Sequence, residues 1–142
     1  SLGCLTSAET PTAQTMLRIF DPLTGSTRGQ MSLPAAYPTN LTFCPITETL
    51  CAVSAASAIF LIDWWNKKII KTIPLPAESG GLALSFFPKS HKLAYSVAGN
   101  LSPSTMCIYD ITNGKTTSFM PSELSGALVT DISISSDDAL LA

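Results

Sequence analysis

Three different sets of residues recur along this chain at the same interval, and that shared interval limits the folds open to it more than any other feature. An apolar run ending in aspartate appears as Leu17-Arg18-Ile19-Phe20-Asp21, Phe60-Leu61-Ile62-Asp63 and Cys107-Ile108-Tyr109-Asp110, which places the aspartates 42 and 47 residues apart. A second set is Ser1-Leu2-Gly3-Cys4-Leu5, Thr49-Leu50-Cys51-Ala52-Val53, Lys92-Leu93-Ala94-Tyr95 and Leu140-Leu141-Ala142; Leu2, Leu50, Leu93 and Leu141 step by 48, 43 and 48 residues. A third set, Phe43-Cys44-Pro45, Phe86-Phe87-Pro88 and Ile134-Ser135-Ser136, steps by 43 and 48, in phase with the second. One such set arises readily by chance. Three in register mean that a structural unit is repeated, and a unit of this size buries its apolar face only against a neighbouring copy.

Each unit divides into four strand-length runs. In the clearest one, the run 82–87 closes at Pro88-Lys89-Ser90-His91 and the run 92–98 at Gly99-Asn100, both of which are turn chemistry. Residues 106–109 form a third run, Asp110-Ile111-Thr112-Asn113-Gly114-Lys115 a hairpin through an Asn-Gly turn, and residues 116–120 a fourth run stopped by Pro121. The third runs, Ile59-Phe60-Leu61-Ile62 and Met106-Cys107-Ile108-Tyr109, are apolar throughout where a half-exposed strand alternates, so both of their faces should be covered. The fourth run of the middle unit, Ile69-Ile70-Lys71-Thr72-Ile73-Pro74-Leu75, partly alternates and carries Lys and Pro, as an outer edge strand does.

A repeat in the forties made of four antiparallel strands is the unit of a β-propeller blade. The predicted fold is therefore all-β, about three four-stranded blades with units at residues 1–38, 39–78 and 79–125 and the start of a further unit at 126–142. The register begins and stops at a second strand, and propellers close with about 4–8 blades. The phase predicts an excerpt of a longer chain, whose remaining blades are partners of these, and self-association of these residues alone through two apolar blade faces.

The segments Leu17-Arg18-Ile19-Phe20-Asp21-Pro22-Leu23-Thr24-Gly25 and Cys107-Ile108-Tyr109-Asp110-Ile111-Thr112-Asn113-Gly114-Lys115 resemble the strand-and-turn that ends WD40 repeats, with Phe20-Asp21, Ile62-Asp63 and Tyr109-Asp110 where the family has Trp-Asp. The segment Ile132-Ser133-Ile134-Ser135-Ser136-Asp137-Asp138-Ala139-Leu140-Leu141-Ala142 is similar to the first hairpin of the same repeats. The resemblance covers nearly the whole chain, although no Gly-His pair and no true Trp-Asp pair is present. Residues 59–76 also resemble the YVTN type of propeller repeat. The WD40 resemblance implies an intracellular scaffold, in cytoplasm or nucleus, that binds other proteins and uses no cofactor. The YVTN resemblance implies the alternative, a lactonase-like propeller that binds or processes a small ligand in its central channel. Acidic or His residues recurring at the channel ends of the first strands would favour that alternative, and those ends carry Leu41, Leu82 and Thr130.

Composition narrows the partners. Charged residues are 13%, the formal net charge is −2 and the pI about 5.1, so no basic footprint invites nucleic acid or an anionic membrane surface. The most apolar charge-free stretch, residues 49–62, is broken by Ser and Thr and too short to span a bilayer. No basic start with a continuous apolar core, as a signal peptide has, is visible in residues 1–12. Cys4, Cys44, Cys51 and Cys107 show neither C-x-x-C spacing nor the His partners of a zinc site, and three of them fall in apolar runs where a free thiol is a small buried hydrophobe, which suits a reducing compartment. Two N-x-S/T matches, Asn40-Leu41-Thr42 and Asn100-Leu101-Ser102, point the other way.

The sequence offers no catalytic or metal site. His91, the one histidine, falls in a turn beside Lys92, far from a nucleophile with an acid partner. Asp21, Asp63 and Asp110 repeat at one blade position, as structural turn residues whose carboxylates cap following N–H groups. Asp137-Asp138 reads as a solvated turn. Trp64-Trp65, followed by Asn66-Lys67-Lys68, is the candidate protein contact: two indoles in one turn can hardly both be buried, and aromatics beside cations are common in interfaces, while packing on the adjacent blade is the competing role. The loops between second and third strands vary most, at residues 8–15 and 99–105 with almost none at Ser57, and their Ser/Thr/Pro content could accept phosphate.

Overall fold

The computed structural model describes residues 2–6, 15–34, 37–76, 81–99, 102–122 and 128–142. They are all β. β1 (Leu2–Thr6), β2 (Thr15–Phe20) and β3 (Thr27–Leu33) form one antiparallel sheet; β4 (Asn40–Phe43), β5 (Leu50–Ser54), β6 (Ala58–Asp63) and β7 (Lys68–Pro74) form a second. β8 (Gly81–Phe86), β9 (Lys92–Gly99), β10 (Ser102–Asp110) and β11 (Thr116–Phe119) form the third. In every sheet, strands adjacent in sequence are adjacent in space. A single bridge, Ile134 to Leu141, closes a hairpin after the third sheet.

Alternation along the strands explains the stacking. In β5 and β6, Cys51, Val53, Phe60 and Ile62 turn toward the first sheet and pack with Leu17, Ile19 and Leu33. Leu50, Ala52, Ile59 and Leu61 turn the other way and pack with Leu84, Phe86, Leu93, Tyr95 and Tyr109 of the third sheet. Both strands are buried along their lengths except at Asp63, because the middle sheet has a neighbour on each face. β2, with cover on one face, alternates buried Thr15, Leu17 and Ile19 with half-buried Met16, Arg18 and Phe20. β7 is an edge strand with little beyond Ile73 buried, and its Lys and Pro blunt that edge against further pairing.

The repeat is visible in hydrogen bonds as well as in packing. The turn joining the first two strands is closed by Cys44 N–H to Leu50 O at 2.9 Å in the second sheet, Phe87 N–H to Lys92 O at 3.0 Å in the third, and Ser135 N–H to Leu140 O at 2.9 Å in the last hairpin. Ile132, Ile134 and Leu141 of that hairpin pack on Ala83, Phe87, Ala94 and Met106, the far face of the third sheet. β8 lies against β4 and β5, and β1 against β4. The second contact is close enough to require glycine: a Cβ at Gly3 would collide with Leu41 Cδ2 and lie 2.9 Å from Phe43 Cζ.

One expectation changes. β10 starts at Ser102, not Met106, because Ser102 pairs with Gly99 and the ladder resumes at Thr105 after an irregularity, so most of the expected loop at 99–105 is strand. An irregularity of this kind also accommodates Pro103, which cannot donate to a ladder. Cys4, Cys51 and Cys107 lie within β1, β5 and β10, so three of the four cysteines are in strands, while Cys44 sits just past β4, its Sγ accepting the Thr47 N–H at 3.4 Å. The expected loop at 8–15 lies outside the described residues except for Thr15.

Candidate interaction site

The three aspartate turns share one architecture. In the first, Asp21 N–H donates to Ser26 O and Gly25 N–H to Asp21 O, both at 2.8 Å. In the third, Asp110 N–H donates to Lys115 O at 2.9 Å and Gly114 N–H to Asp110 O at 2.8 Å. The carboxylates cap the turns: Asp21 Oδ1 accepts from Leu23 and Thr24 N–H, Asp63 Oδ1 from Asn66 N–H, and Asp110 Oδ1 from Thr112 N–H and hydroxyl. The glycine four residues after the aspartate has a left-handed backbone, with φ of 70° at Gly25 and 72° at Gly114. At the same place in the middle turn stands Lys67, with φ of 54°. A lysine held in that region costs roughly 1–2 kcal/mol relative to glycine. Part of this returns as the greater freedom glycine has when unfolded. Lys67→Gly is therefore expected to raise stability by about 0.5–1 kcal/mol, read as a higher denaturant midpoint at unchanged slope.

Hydrogen bonds hold all three carboxyls below the usual carboxylate range. For Asp21 the main cause is the Leu23 N–H, with Arg28 next; for Asp63 it is the Asn66 N–H and then its side chain; for Asp110 it is the Thr112 hydroxyl. Asp137 is lowered in the same way by the Ser135 hydroxyl. A carboxyl whose folded pKa is depressed stabilises the fold above its unfolded pKa, near 3.9, and that contribution is lost as pH falls through the folded value. The denaturant midpoint should thus be level at mildly acidic pH and fall from roughly pH 4 downward. Asp21→Asn and Asp110→Asn should each flatten that acid limb.

The middle turn carries the two tryptophans, and the fold separates their environments. Trp64 is 3% exposed. Its N–H donates to Thr49 O at 3.0 Å, its Nε1 donates to Glu48 O at 3.1 Å, and its ring lies over Gly29 of β3, so it wedges the second sheet against the first. Ile111 holds the matching place in the third sheet, donating to His91 O at 2.9 Å, so His91 serves there through its backbone. Trp65 is 64% exposed and stands edge-on to Trp64, centroids 5.8 Å apart and planes at 78°. Lys67 and Lys68 are exposed beside it.

Arg28, Glu48 and Thr49 complete a cleft of about 310 Å³ around the two indoles. Arg28 is fixed by Asp21, with Nη2 to Oδ2 at 2.6 Å and Nε to Oδ2 at 3.2 Å, whereas Glu48 lies 4.0 Å from Arg28 Nη1 and is largely exposed. The cleft therefore joins one sheet's outer strand to the next sheet's turn. Sequence reading singled out Trp64, Trp65, Lys67 and Lys68 but missed Arg28 and Glu48. Arg28 lies seven residues past Asp21 across its own hairpin, a spacing that a search for Asp-Arg pairs along the hairpins would have found.

Burial, and then the charge of Asp63, pushes the Cys51 thiol up to about 12, so it is not a thiolate at neutral pH. Cys44, Cys51 and Cys107 are free and buried. Among the described residues no group of three or more His, Cys, Asp and Glu could hold a metal ion, and no helix is long and apolar enough to cross a membrane. Asp137 and Asp138 are more engaged than a solvated turn requires. Asp137 Oδ1 accepts from the Ser135 hydroxyl and Ala139 N–H, and Asp138 Oδ1 reaches the Lys89 N–H at 3.0 Å, tying the last hairpin's turn to the third sheet's first turn. A second, apolar groove of about 500 Å³ lies where that hairpin meets Met106, Phe119 and Pro121. Comparison with protein-family models and with curated proteins finds no match to this chain.

Proposed function

We propose that this chain is a non-catalytic scaffold, made of consecutive blades of a WD40-type propeller, that binds other proteins through the turn at residues 63–68. The observation that carries the reading is the contrast within Trp64-Trp65. One indole joins two sheets, while the other is left exposed among Lys67, Lys68 and the Arg28 cleft. An exposed aromatic that meets its neighbour edge-on, in a turn that also carries two exposed lysines, suits a contact anchor. The strained Lys67 supports the same reading, since unfavourable backbone conformations persist where a side chain has a use. Stacked sheets with matching turns support the blade assignment.

The test is affinity purification of the full-length protein from its native cell, followed by mass spectrometry, with wild type and Trp65→Ser side by side. A stable set of co-purifying proteins lost with Trp65→Ser, at unchanged melting temperature, is the expected result. A protein that comes down alone, or partners indifferent to Trp65, Lys67 and Lys68, would overturn the proposal.

A further inference from the structure

We propose that Asn113 is a site of spontaneous deamidation, through a cyclic imide closed by the backbone nitrogen of Gly114, and that the turn around Asp110 governs its rate. Two asparagines occupy the same turn position in successive sheets. Asn66 and Asn113 each stand three residues after the turn aspartate and each donates from Nδ2 to it, at 2.8 Å to Asp63 Oδ2 and 3.2 Å to Asp110 Oδ2. The residue on the C-terminal side of each sets them apart. Asn66 precedes Lys67, whose Cβ crowds the approach of the Lys67 nitrogen to Asn66 Cγ. Asn113 precedes Gly114, which has no Cβ, and both residues are exposed. The same left-handed turn position thus protects one asparagine and leaves the other reactive.

The step balances with water as the co-reactant. Gly114 N–H gives its proton to a solvent base, the nitrogen lone pair forms a bond to Asn113 Cγ, and the Cγ–Nδ2 bond breaks, the nitrogen leaving as ammonia after taking a proton from solvent. Water then opens the imide at either carbonyl, to aspartate or isoaspartate. One water is consumed, one ammonia is released, one carboxylate is gained, and nothing is oxidised or reduced.

The folded turn restrains this chemistry. Gly114 N–H is held on Asp110 O at 2.8 Å, and Asn113 Oδ1 accepts the Lys115 N–H at 2.9 Å, so ring closure waits on local opening. That opening is shallow, because β11 is a short edge strand with all four residues exposed. The product does not fit the turn it came from. A carboxylate replaces the Nδ2 donor beside Asp110 Oδ2, and two like charges so close cannot both stay ionised without cost. Isoaspartate also adds a backbone methylene between Asp110 and Lys115. Deamidation therefore loosens β11, whose Phe119 lines the apolar groove on the third sheet's far face.

The test holds the folded chain at mildly alkaline pH in heavy-oxygen water and follows label incorporation by peptide mapping. Asn113 should convert several times faster than Asn66 or Asn40, more slowly than in the urea-unfolded chain, and faster when Asp110→Ala weakens the turn. Asn113→Thr, which copies Thr24 of the first turn, should abolish the event and leave the melting temperature unchanged. Asn113→Asp should melt below wild type at neutral pH, with the deficit closing as the carboxyls protonate. Conversion at Asn113 no faster than at Asn66, or a rate indifferent to folding and to Asp110→Ala, overturns the proposal.

Discussion

Trp64→Ala is expected to cost about 3–5 kcal/mol, the range for removing a large buried aromatic, while Trp65→Ala stays within about 0.5 kcal/mol of wild type. Chemical denaturation of the two single variants measures the difference directly. The asymmetry comes from placement. Trp64 fills the seam between β3 and the turn at Asp63, against Gly29, with its indole N–H on Glu48 O; its loss leaves a cavity and an acceptor without its donor. Trp65 touches Trp64 by its edge and is otherwise open to solvent. Equal and large losses would mean that both rings are structural and would remove the anchor on which the interaction proposal depends. A near-neutral Trp64→Ala would mean that the first and second sheets are not joined at this seam.

The repeat was legible because each unit needs the same local chemistry: a strand, an aspartate to cap the turn, and a residue able to turn left-handed. Asp21 and Asp110 declare it with the glycines four residues later. The direction of the two tryptophans was not legible. Adjacent residues in a turn carry no period, and what holds Trp64 inward lies elsewhere in the chain: its N–H donates to Thr49 O, its Nε1 to Glu48 O, and its ring lies over Gly29 of the preceding sheet's outer strand. Lys67 was visible only as a cation, and its left-handed backbone emerges only when the three turns are laid over one another. The cross-tie from Asp138 to the Lys89 N–H was hidden for a related reason. Its partner is a backbone group, which sequence does not distinguish from any other. Burial of β6 on both faces, by contrast, was legible in the unbroken apolar run Ile59-Phe60-Leu61-Ile62, because only a strand with two neighbours can do without a polar face.

Burial of β6 on both faces sets the second large effect. Leu61→Ala and Ile62→Ala are each expected to destabilise the chain by about 2–5 kcal/mol, although the two side chains point to opposite faces of β6. Leu61 is 1% exposed and packs toward the third sheet; Ile62 is 0% exposed and packs toward the first. In a single two-layer sandwich one face of β6 would meet solvent and one of these truncations would be nearly silent, so equal penalties distinguish a stack of sheets from a sandwich. The two side chains belong to core clusters with no residue in common, and their costs should add in the double variant to within about 0.5 kcal/mol. Equilibrium unfolding of the two single variants and the double variant supplies all three numbers. One silent truncation would sink the stacked arrangement, and with it the blade assignment. A double variant costing much less than the sum would show that the two cores communicate through β6 and that the sheets do not behave as separable layers.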